Sequence, residues 1–346
     1  MRPNKWAFAI IMAAWITILF TGCSMLGEGT RTGEIDPPPG DTELKQPEDS
    51  SETSITDPDG ETMEITGYFE DPNGFVAPLT FRVPYEEGTA KATLEYMVEG
   101  GPGEALLPEG FRALIPQGTQ ITMNVMADKT AVVDFSENFT SYNPQDERKI
   151  LEAVTWALTE FDSIDRVAVW VNGEPLEEMP ANATPLDAPL TRAMGINLER
   201  VKGVDYGQST PVTLFFQSST LEGQSYFVPV TRMIARTDNV ALAALNELIR
   251  GPLNDSLYSV ISADAEVLEA EESEGVVTVN LDSALLADGQ KAAPESLQSV
   301  VLSLTETTGA EKVQIMVNGS TEVIGTDDQT YNTPVSRPAR VNKIEL

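Results

Sequence analysis

Val167-Ala-Val-Trp-Val-Asn-Gly173 returns about 150 residues later as Val313-Gln-Ile-Met-Val-Asn-Gly319. Each is a run of β-branched and large apolar residues ended by Asn-Gly, the dipeptide that supplies the positive φ angles of a tight turn. Read outward from this pair, the flanking stretches match as well. A helix is expected over 144–161, with Ile150, Leu151, Val154, Ala157, Leu158 and Phe161 facing inward. Its counterpart spans 294–307, with Leu297, Val300, Val301 and Leu304 inward. Before these helices, strands are expected at 121–125 and 131–135, and again at 265–270 and 276–281. Val132-Val-Asp-Phe-Ser136 there aligns with Thr278-Val-Asn-Leu-Asp282.

Each copy opens with a hairpin and a first helix. Glu64-Ile-Thr-Gly-Tyr-Phe69 and Phe75-Val-Ala-Pro-Leu-Thr-Phe-Arg-Val83 flank the turn Asp71-Pro-Asn-Gly74. Val212-Thr-Leu-Phe-Phe216 and Tyr226-Phe-Val-Pro-Val-Thr231 flank Leu221-Glu-Gly-Gln224. Pro78 and Pro229 occupy matching sites, which suits an edge strand where no amide donor is required. Thr89-Ala-Lys-Ala-Thr-Leu-Glu-Tyr-Met-Val-Glu-Gly-Gly-Pro102 then matches Asn239-Val-Ala-Leu-Ala-Ala-Leu-Asn-Glu-Leu-Ile-Arg-Gly-Pro252. Ala90, Leu94, Met97 and Val98 share one face, as do Ala241, Ala244, Leu245 and Leu248. Gly100 or Gly101, and Gly251, suit the left-handed position that ends a helix, and the following prolines stop it resuming. Even the tails correspond: Thr184-Pro-Leu…Leu-Thr-Arg192…Ile-Asn-Leu-Glu199 is similar to Thr333-Pro-Val-Ser-Arg337…Val-Asn-Lys-Ile-Glu345. The expected fold is α+β: two tandem domains, each with an N-terminal β-hairpin and two helices packed on one face of a small mixed sheet.

The 346 residues suit two domains of ordinary size, and at 41% hydrophobic each half can bury a core. With 22 Lys+Arg against 54 Asp+Glu, the formal charge is −32. Such a field repels nucleic acid, teichoic acids and anionic lipid headgroups, and basic residues are scattered singly, so no nucleic-acid partner is expected. Excess carboxylate equally serves solubility in an alkaline or salty habitat. The chain has no histidine and one cysteine. That excludes Ser-His-Asp and Cys-His hydrolysis, His-ligated metals, an internal disulfide and a Cys-based zinc site. No cofactor, metal site or catalytic residue is assigned.

Residues 1–22 read as a signal peptide. Arg2 and Lys5 precede an apolar run of about 15 residues, from Trp6 to Phe20, shorter than the ~20 of a stable span. The run ends at Thr21-Gly22-Cys23-Ser24, which resembles the lipobox of bacterial lipoproteins, although Phe20 stands where leucine is usual. Cys23 is therefore the expected lipidation site, and two acyl chains there suffice for a membrane anchor on the outer face of the cytoplasmic membrane. Residues 23–63 form an acidic, proline-rich linker with almost no large apolar residues. Asp57-Pro-Asp-Gly-Glu61 within it lacks the further ligands of a calcium loop. The domains are placed at 64–200 and 201–346.

Helices ending in Gly-Gly-Pro or Arg-Gly-Pro, the Val-Asp-Phe-Ser strand, the Ser-Val-Val-Leu-Ser-Leu-Thr-Glu helix and the Val-Asn-Gly turn resemble the GerMN domain. Two such domains behind a lipobox, with Glu34-Ile-Asp-Pro-Pro38 in the linker and Pro-Val-Ser-Arg-Pro338 near the end, resemble the sporulation and germination lipoproteins with paired GerMN domains. The resemblance spans nearly the whole chain. It implies a ring-building-motif fold for each domain, a place on the mother-cell membrane around the forespore, and partnership with the SpoIIIA–SpoIIQ channel proteins. It also implies effects on the spore envelope and germination.

The leading expectation is thus a membrane-tethered scaffold without enzyme activity. Exposed sheet edges favour added neighbours, including a homo-oligomer at the membrane, unless the edges are covered within the molecule. Two further readings stand beside it. Glu152 with Glu160, or Glu177 with Glu178, form carboxylate pairs of the kind used in glycoside cleavage, though an acidic chain contains many such pairs by chance. Tyr68, Phe69, Trp170, Phe215, Phe216, Tyr226 and Phe227 offer rings for stacking on peptidoglycan sugars or a small solute, although alternating strand aromatics more often pack a core.

Overall fold

The computed structural model describes residues 60–344 apart from 202, 205, 288 and 289. The expected signal peptide, Cys23 and nearly all of the expected linker lie outside the described residues.

The first unit begins with the antiparallel hairpin β1 (Thr62–Glu70) and β2 (Val76–Pro84). Its turn is tied by Asp71, whose Oδ1 accepts the amides of Asn73 and Phe75 at 2.8 Å each. Helix α1 (Thr89–Tyr96) follows, then strands β3 (Ile121–Val125) and β4 (Thr130–Phe135), helix α2 (Glu147–Leu158), β5 (Arg166–Val171) and the short β6 (Glu174–Pro175). The sheet order is β3-β4-β5-β6; β4 and β5 run parallel, joined through α2, while the outer pairs are antiparallel. The tail carries β7 (Glu199–Arg200).

The second unit repeats this plan. Its hairpin is β8 (Ser209–Ser219) with β9 (Ser225–Ala235), followed by α3 (Val240–Arg250), β10 (Val267–Ser273) and β11 (Val276–Leu281). Helix α4 (Pro294–Thr308), β12 (Lys312–Val317) and β13 (Val335–Ser336) complete it. The order β10-β11-β12-β13, with β11 and β12 parallel through α4, reproduces the first sheet. The two Asn-Gly turns behave as their residues dictate: Asn172 and Gly173 have φ of 53° and 83°, Asn318 and Gly319 of 48° and 80°. The family of strands, helices and turns expected from the duplication is present in both halves.

Helices differ from expectation in two ways. Helix α1 stops at Tyr96, before Met97 and Val98, because the backbone there pairs with another segment. Ile115 donates to the Met97 carbonyl at 3.1 Å and Glu99 donates to the Ile115 carbonyl at 2.8 Å. Helix α2 is also buried well beyond its expected stripe: Glu152, Ala153, Thr155 and Trp156 are inaccessible along with Ile150, Leu151, Val154, Ala157 and Leu158. It is wedged between the hairpin β1–β2 and strand β5, so both flanks are covered, not one.

In the second unit the helix also closes a sheet edge. Ser299, Ser303 and Thr307 lie four residues apart on α4, hence on one face. The Ser303 hydroxyl accepts the Phe215 amide at 2.9 Å and Ser299 donates to the Phe215 carbonyl at 2.7 Å. Thr307 likewise serves the amide and carbonyl of Thr213, both at 2.9 Å. Further along β8, Gln217 exchanges backbone bonds with Tyr258. Side-chain hydroxyls thus take the place of a neighbouring strand. The hairpin edge expected to be exposed is covered within the chain.

Candidate functional site

The most distinctive construction is the seam between the two units, and it is reciprocal. Strands β2 and β9 face each other there, each with its proline: Pro78 and Pro229. A proline lacks the amide hydrogen that direct strand pairing needs, so the gap is bridged by two asparagines from the tails. Asn197 accepts the Val76 amide at 2.8 Å and donates to the carbonyls of Val76 (2.8 Å) and Pro229 (2.7 Å). Asn342 accepts the Phe227 amide at 2.7 Å and donates to the carbonyls of Phe227 (2.7 Å) and Pro78 (2.8 Å). Each asparagine therefore clamps its own unit's strand and reaches one carbonyl of the other. Both adopt positive φ, 47° and 56°, which asparagine tolerates better than most residues.

The tails themselves are exchanged. From the first unit, β7 runs parallel to β9, with Glu199 beside Arg232, and the Thr231 amide donates to the Ile196 carbonyl at 2.8 Å. From the second unit, Lys343 bridges Thr80 of β2, whose amide donates to the Asn342 carbonyl at 3.2 Å. Ile344 returns a bond to the Thr80 carbonyl at 3.1 Å. The first unit lends a short strand to the second, and the second returns a single bridge to the first.

Charge follows the same reciprocity. Arg192 of the first tail pairs with Glu160 at 2.9 Å and with Glu306 at 2.5 Å; Arg337 of the second tail pairs with Glu306 at 3.0 Å and Glu160 at 3.7 Å. The two guanidinium groups lie over Trp156 (4.5 Å) and Phe215 (5.2 Å). The Tyr68 hydroxyl donates to Glu160 at 2.6 Å. Burial on its own would raise the Glu160 carboxyl, but Arg192, Arg337 and the Tyr68 hydroxyl outweigh it and hold the group below its ordinary 4.5. A depressed carboxylate contributes stability above its ordinary value and loses it as pH falls through the lowered one. Parent protein melted in steps below pH 4.5 should thus lose stability faster than the Glu160→Gln variant, whose acid limb should be flatter.

Farther along the seam, Arg232 is fully inaccessible, and it donates four hydrogen bonds and pairs with two carboxylates. Nε bonds Glu199 at 2.8 Å, and the terminal nitrogens reach Glu199 (2.6 Å), the Glu247 carboxylate (2.8 Å) and the carbonyls of Glu247 (3.2 Å) and Gly251 (2.8 Å). This arginine fastens the first unit's tail to helix α3. At the hairpin turn, the Tyr226 hydroxyl of the second unit donates to Asp71 of the first at 2.7 Å, and the Tyr226 ring meets Phe111 at 5.1 Å. Burial raises the Asp71 carboxyl, with the Tyr226 hydroxyl and the amides of Phe75 and Asn73 working against the rise.

These geometries decide the fate of the sequence candidates. Glu152 is buried on α2; it accepts Arg148 Nε at 2.7 Å and the Asn197 amide at 3.1 Å. Burial raises its carboxyl and Arg148 offsets part of that. Glu160 belongs to the seam quartet, so the two carboxylates of that pair are structural partners of arginines. Glu177 and Glu178 are both exposed. Tyr68, Phe69, Phe215, Phe216, Tyr226 and Phe227 are buried, so these rings pack the interior and do not offer stacking faces; Trp170 is half-buried. Among the described residues, no three acidic side chains converge as a metal ion would require, and no helix is long and apolar enough to cross a membrane. A cavity of about 590 Å³ opens at the seam beside Phe75, Arg148, Lys149, Leu198, Arg200 and Leu253.

The correspondence of the tails is legible in the sequence, whereas the seam roles of their residues are not. A signal was present: Arg192 and Asn197, like Arg337 and Asn342, stand five residues apart in otherwise divergent tails.

The fold and seam define a tandem α+β protein whose two copies of one domain are locked by exchanged tails. The family described as Germane, sporulation and spore germination, matches residues 66–177 and 213–323. The spore germination protein GerM of Bacillus subtilis is 35% identical over 357 aligned positions, covering 96% of this chain and 97% of that protein. The solved tandem GerMN domains of that sporulation protein superpose with a TM-score of 0.77 at 37% identity, covering 82% of this chain and 100% of that structure. Its first GerMN domain, solved separately, matches 38% of this chain at 44% identity with a TM-score of 0.37. This chain belongs to the GerM family of sporulation and germination proteins with tandem GerMN domains.

Proposed function

We propose that the chain is a lipid-anchored, non-enzymatic scaffold of sporulation, held at the mother-cell membrane around the forespore, where it joins or localises the SpoIIIA–SpoIIQ channel proteins. One observation supports this reading above others: the reciprocal seam fastens the two domains into one body. A pair of domains with fixed geometry presents two surfaces at a set spacing, which is what a positioning protein needs. Carboxylate catalysis instead calls for acidic groups free to react, and the carboxylates that converge at the seam are bound to its arginines. Family membership supplies the sporulation context, and the lipobox-like Thr21-Gly22-Cys23 supplies the anchor. Peptidoglycan remains the alternative ligand, to be separated by pull-down on purified wall against pull-down with the channel's soluble domains.

The anchor has a direct test. Cys23→Ala should leave the melting transition unchanged, abolish labelling by a radioactive or clickable fatty acid, and disperse a fluorescent fusion from the membrane. Undiminished lipid labelling of that variant refutes the assignment of Cys23.

A further inference from the structure

The outer strand of a sheet carries unpaired amides and carbonyls that recruit another strand unless something blocks them. Three of the four ends of the two four-stranded sheets are blocked. Strands β6 and β13 are two residues long. Strand β10 has a register shift between Val267 and Glu269, and its Ala270 carbonyl is taken by the Asn239 side chain at 3.0 Å. It also bears Glu269, Glu271 and Glu272, all exposed. Bulges and charges of this kind keep edges from pairing.

Strand β3 is the corresponding edge in the first unit, and it has none of these devices. The two registers superpose directly. Thr122 opposite Asp134 corresponds to Glu269 opposite Asn280, Asn124 opposite Val132 to Glu271 opposite Thr278, and Val125 opposite Ala131 to Glu272 opposite Val277. Three carboxylates in one unit are thus a threonine, an asparagine and a valine in the other, and the register of β3 is unbroken. Among the described residues no hydrogen bond reaches its outer side. The Met126 amide bonds inward to Thr130, so by alternation Val125 and Met123 turn their backbone groups outward. At the end of this edge stand two exposed apolar side chains, Val125 at 40% and Met126 at 51%.

We propose that the outer edge of β3 receives an extended, neutral-to-basic segment of a different protein as an added strand, its apolar side chains seated on Val125 and Met126. Backbone hydrogen bonds supply the affinity in this mode, and side-chain contacts at the rim supply the choice of partner. Charge argues for the partner's identity. Strand-to-strand pairing with a second copy brings together two copies of a strongly acidic chain, whose full sequence has a formal charge of −32, whereas a neutral or basic segment meets no such repulsion. The inference rests on the scaffold reading and names the surface through which the scaffold holds its partner.

The test uses the full-length chain in sporulating cells, with a photo-crosslinking benzoylphenylalanine placed at Val125 or, as control, at Glu272. The Val125 position should give one adduct with a different protein, and the Glu272 position none. Adding Thr122→Glu and Asn124→Glu, residues that the second unit itself carries at the matching sites, should leave the melting transition unchanged and reduce the adduct at least tenfold. Mass spectrometry should place the adduct in a neutral or basic peptide. An adduct with a second copy, an acidic crosslinked peptide, no adduct at Val125, or an adduct indifferent to the two carboxylates overturns the proposal. A separate fluorescent fusion distinguishes the premise: a parent chain that does not concentrate around the forespore sinks the scaffold reading, while the adduct still decides the edge.

Discussion

Replacing Arg232 by methionine should destabilise the folded chain by about 3–5 kcal/mol, among the largest single-residue effects expected here. The size follows from what stays behind. Glu199 and Glu247 are both nearly inaccessible and both lose their cation, and the carbonyls of Glu247 and Gly251 lose a donor. A buried carboxylate without its partner costs several kcal/mol, more than the apolar contact of methionine with Phe216, whose ring lies 5.6 Å from the Arg232 guanidinium, returns. Arg250, which also pairs with Glu247 at 2.5 Å, softens one half of the loss. The Glu199 half has no such second cation among the described residues. Urea unfolding at neutral pH reads the effect, and a double-variant cycle locates it: in a Glu199→Gln background, the penalty of Arg232→Met should shrink by at least a third. An unchanged penalty in that background means the charge argument is wrong and the loss is one of packing.

The second expectation concerns the reciprocal clamp. Asn342→Gly removes the amide while leaving a residue comfortable at the observed φ of 56°, so backbone strain does not enter. Three backbone groups lose their partner together: the Phe227 amide and the carbonyls of Phe227 and Pro78. With about 1 kcal/mol for each bond broken at a partly buried seam, the loss should be about 2–3 kcal/mol. Asn197→Gly should cost a similar amount through Val76 and Pro229. If the seam joins the halves as one cooperative body, the parent melts in a single calorimetric transition. The double variant should then split that transition in two, because each domain loses its hold on the other. A single sharp transition in the double variant shows that the quartet of Arg192, Arg337, Glu160 and Glu306 suffices for coupling.

The seam also bears on why this chain does not present its hairpin edges to others. Strands β2 and β9 are rich in apolar and aromatic residues and sit in a chain destined, on the proposed reading, for a crowded membrane surface. Tails exchanged between the units, asparagine clamps beside the two prolines, and the hydroxyl row of α4 against β8 consume those edges internally. Of the four ends of the two four-stranded sheets, only β3 keeps a neutral edge of unbroken register longer than two residues among the described residues, and it does so in one unit only. Two copies of one domain have thereby become unequal: the first keeps an open strand, the second closes the same strand with Glu269, Glu271 and Glu272.

The sequence by itself determined the duplicated α+β unit. Alternation in Val167–Gly173 and Val313–Gly319, the helical stripes of α2, α3 and α4, and the Asn-Gly turns depend on neighbours within a few residues, where period and turn chemistry are local. The prolines at Pro78 and Pro229, paired with Tyr68 and Phe215 on one side, likewise mark positions with no directly paired strand on the other. Tertiary structure alone decided what lies against those strands. Whether Asn197 and Asn342 are solvated tail residues or clamps, and whether Glu160 is a free acid or one corner of a charge quartet, depends on contacts spanning more than a hundred residues, to which no local pattern responds. For the same reason the early end of α1 and the full burial of α2 were invisible in sequence: both follow from backbone and side-chain surfaces that arrive from elsewhere in the fold and outweigh local propensity.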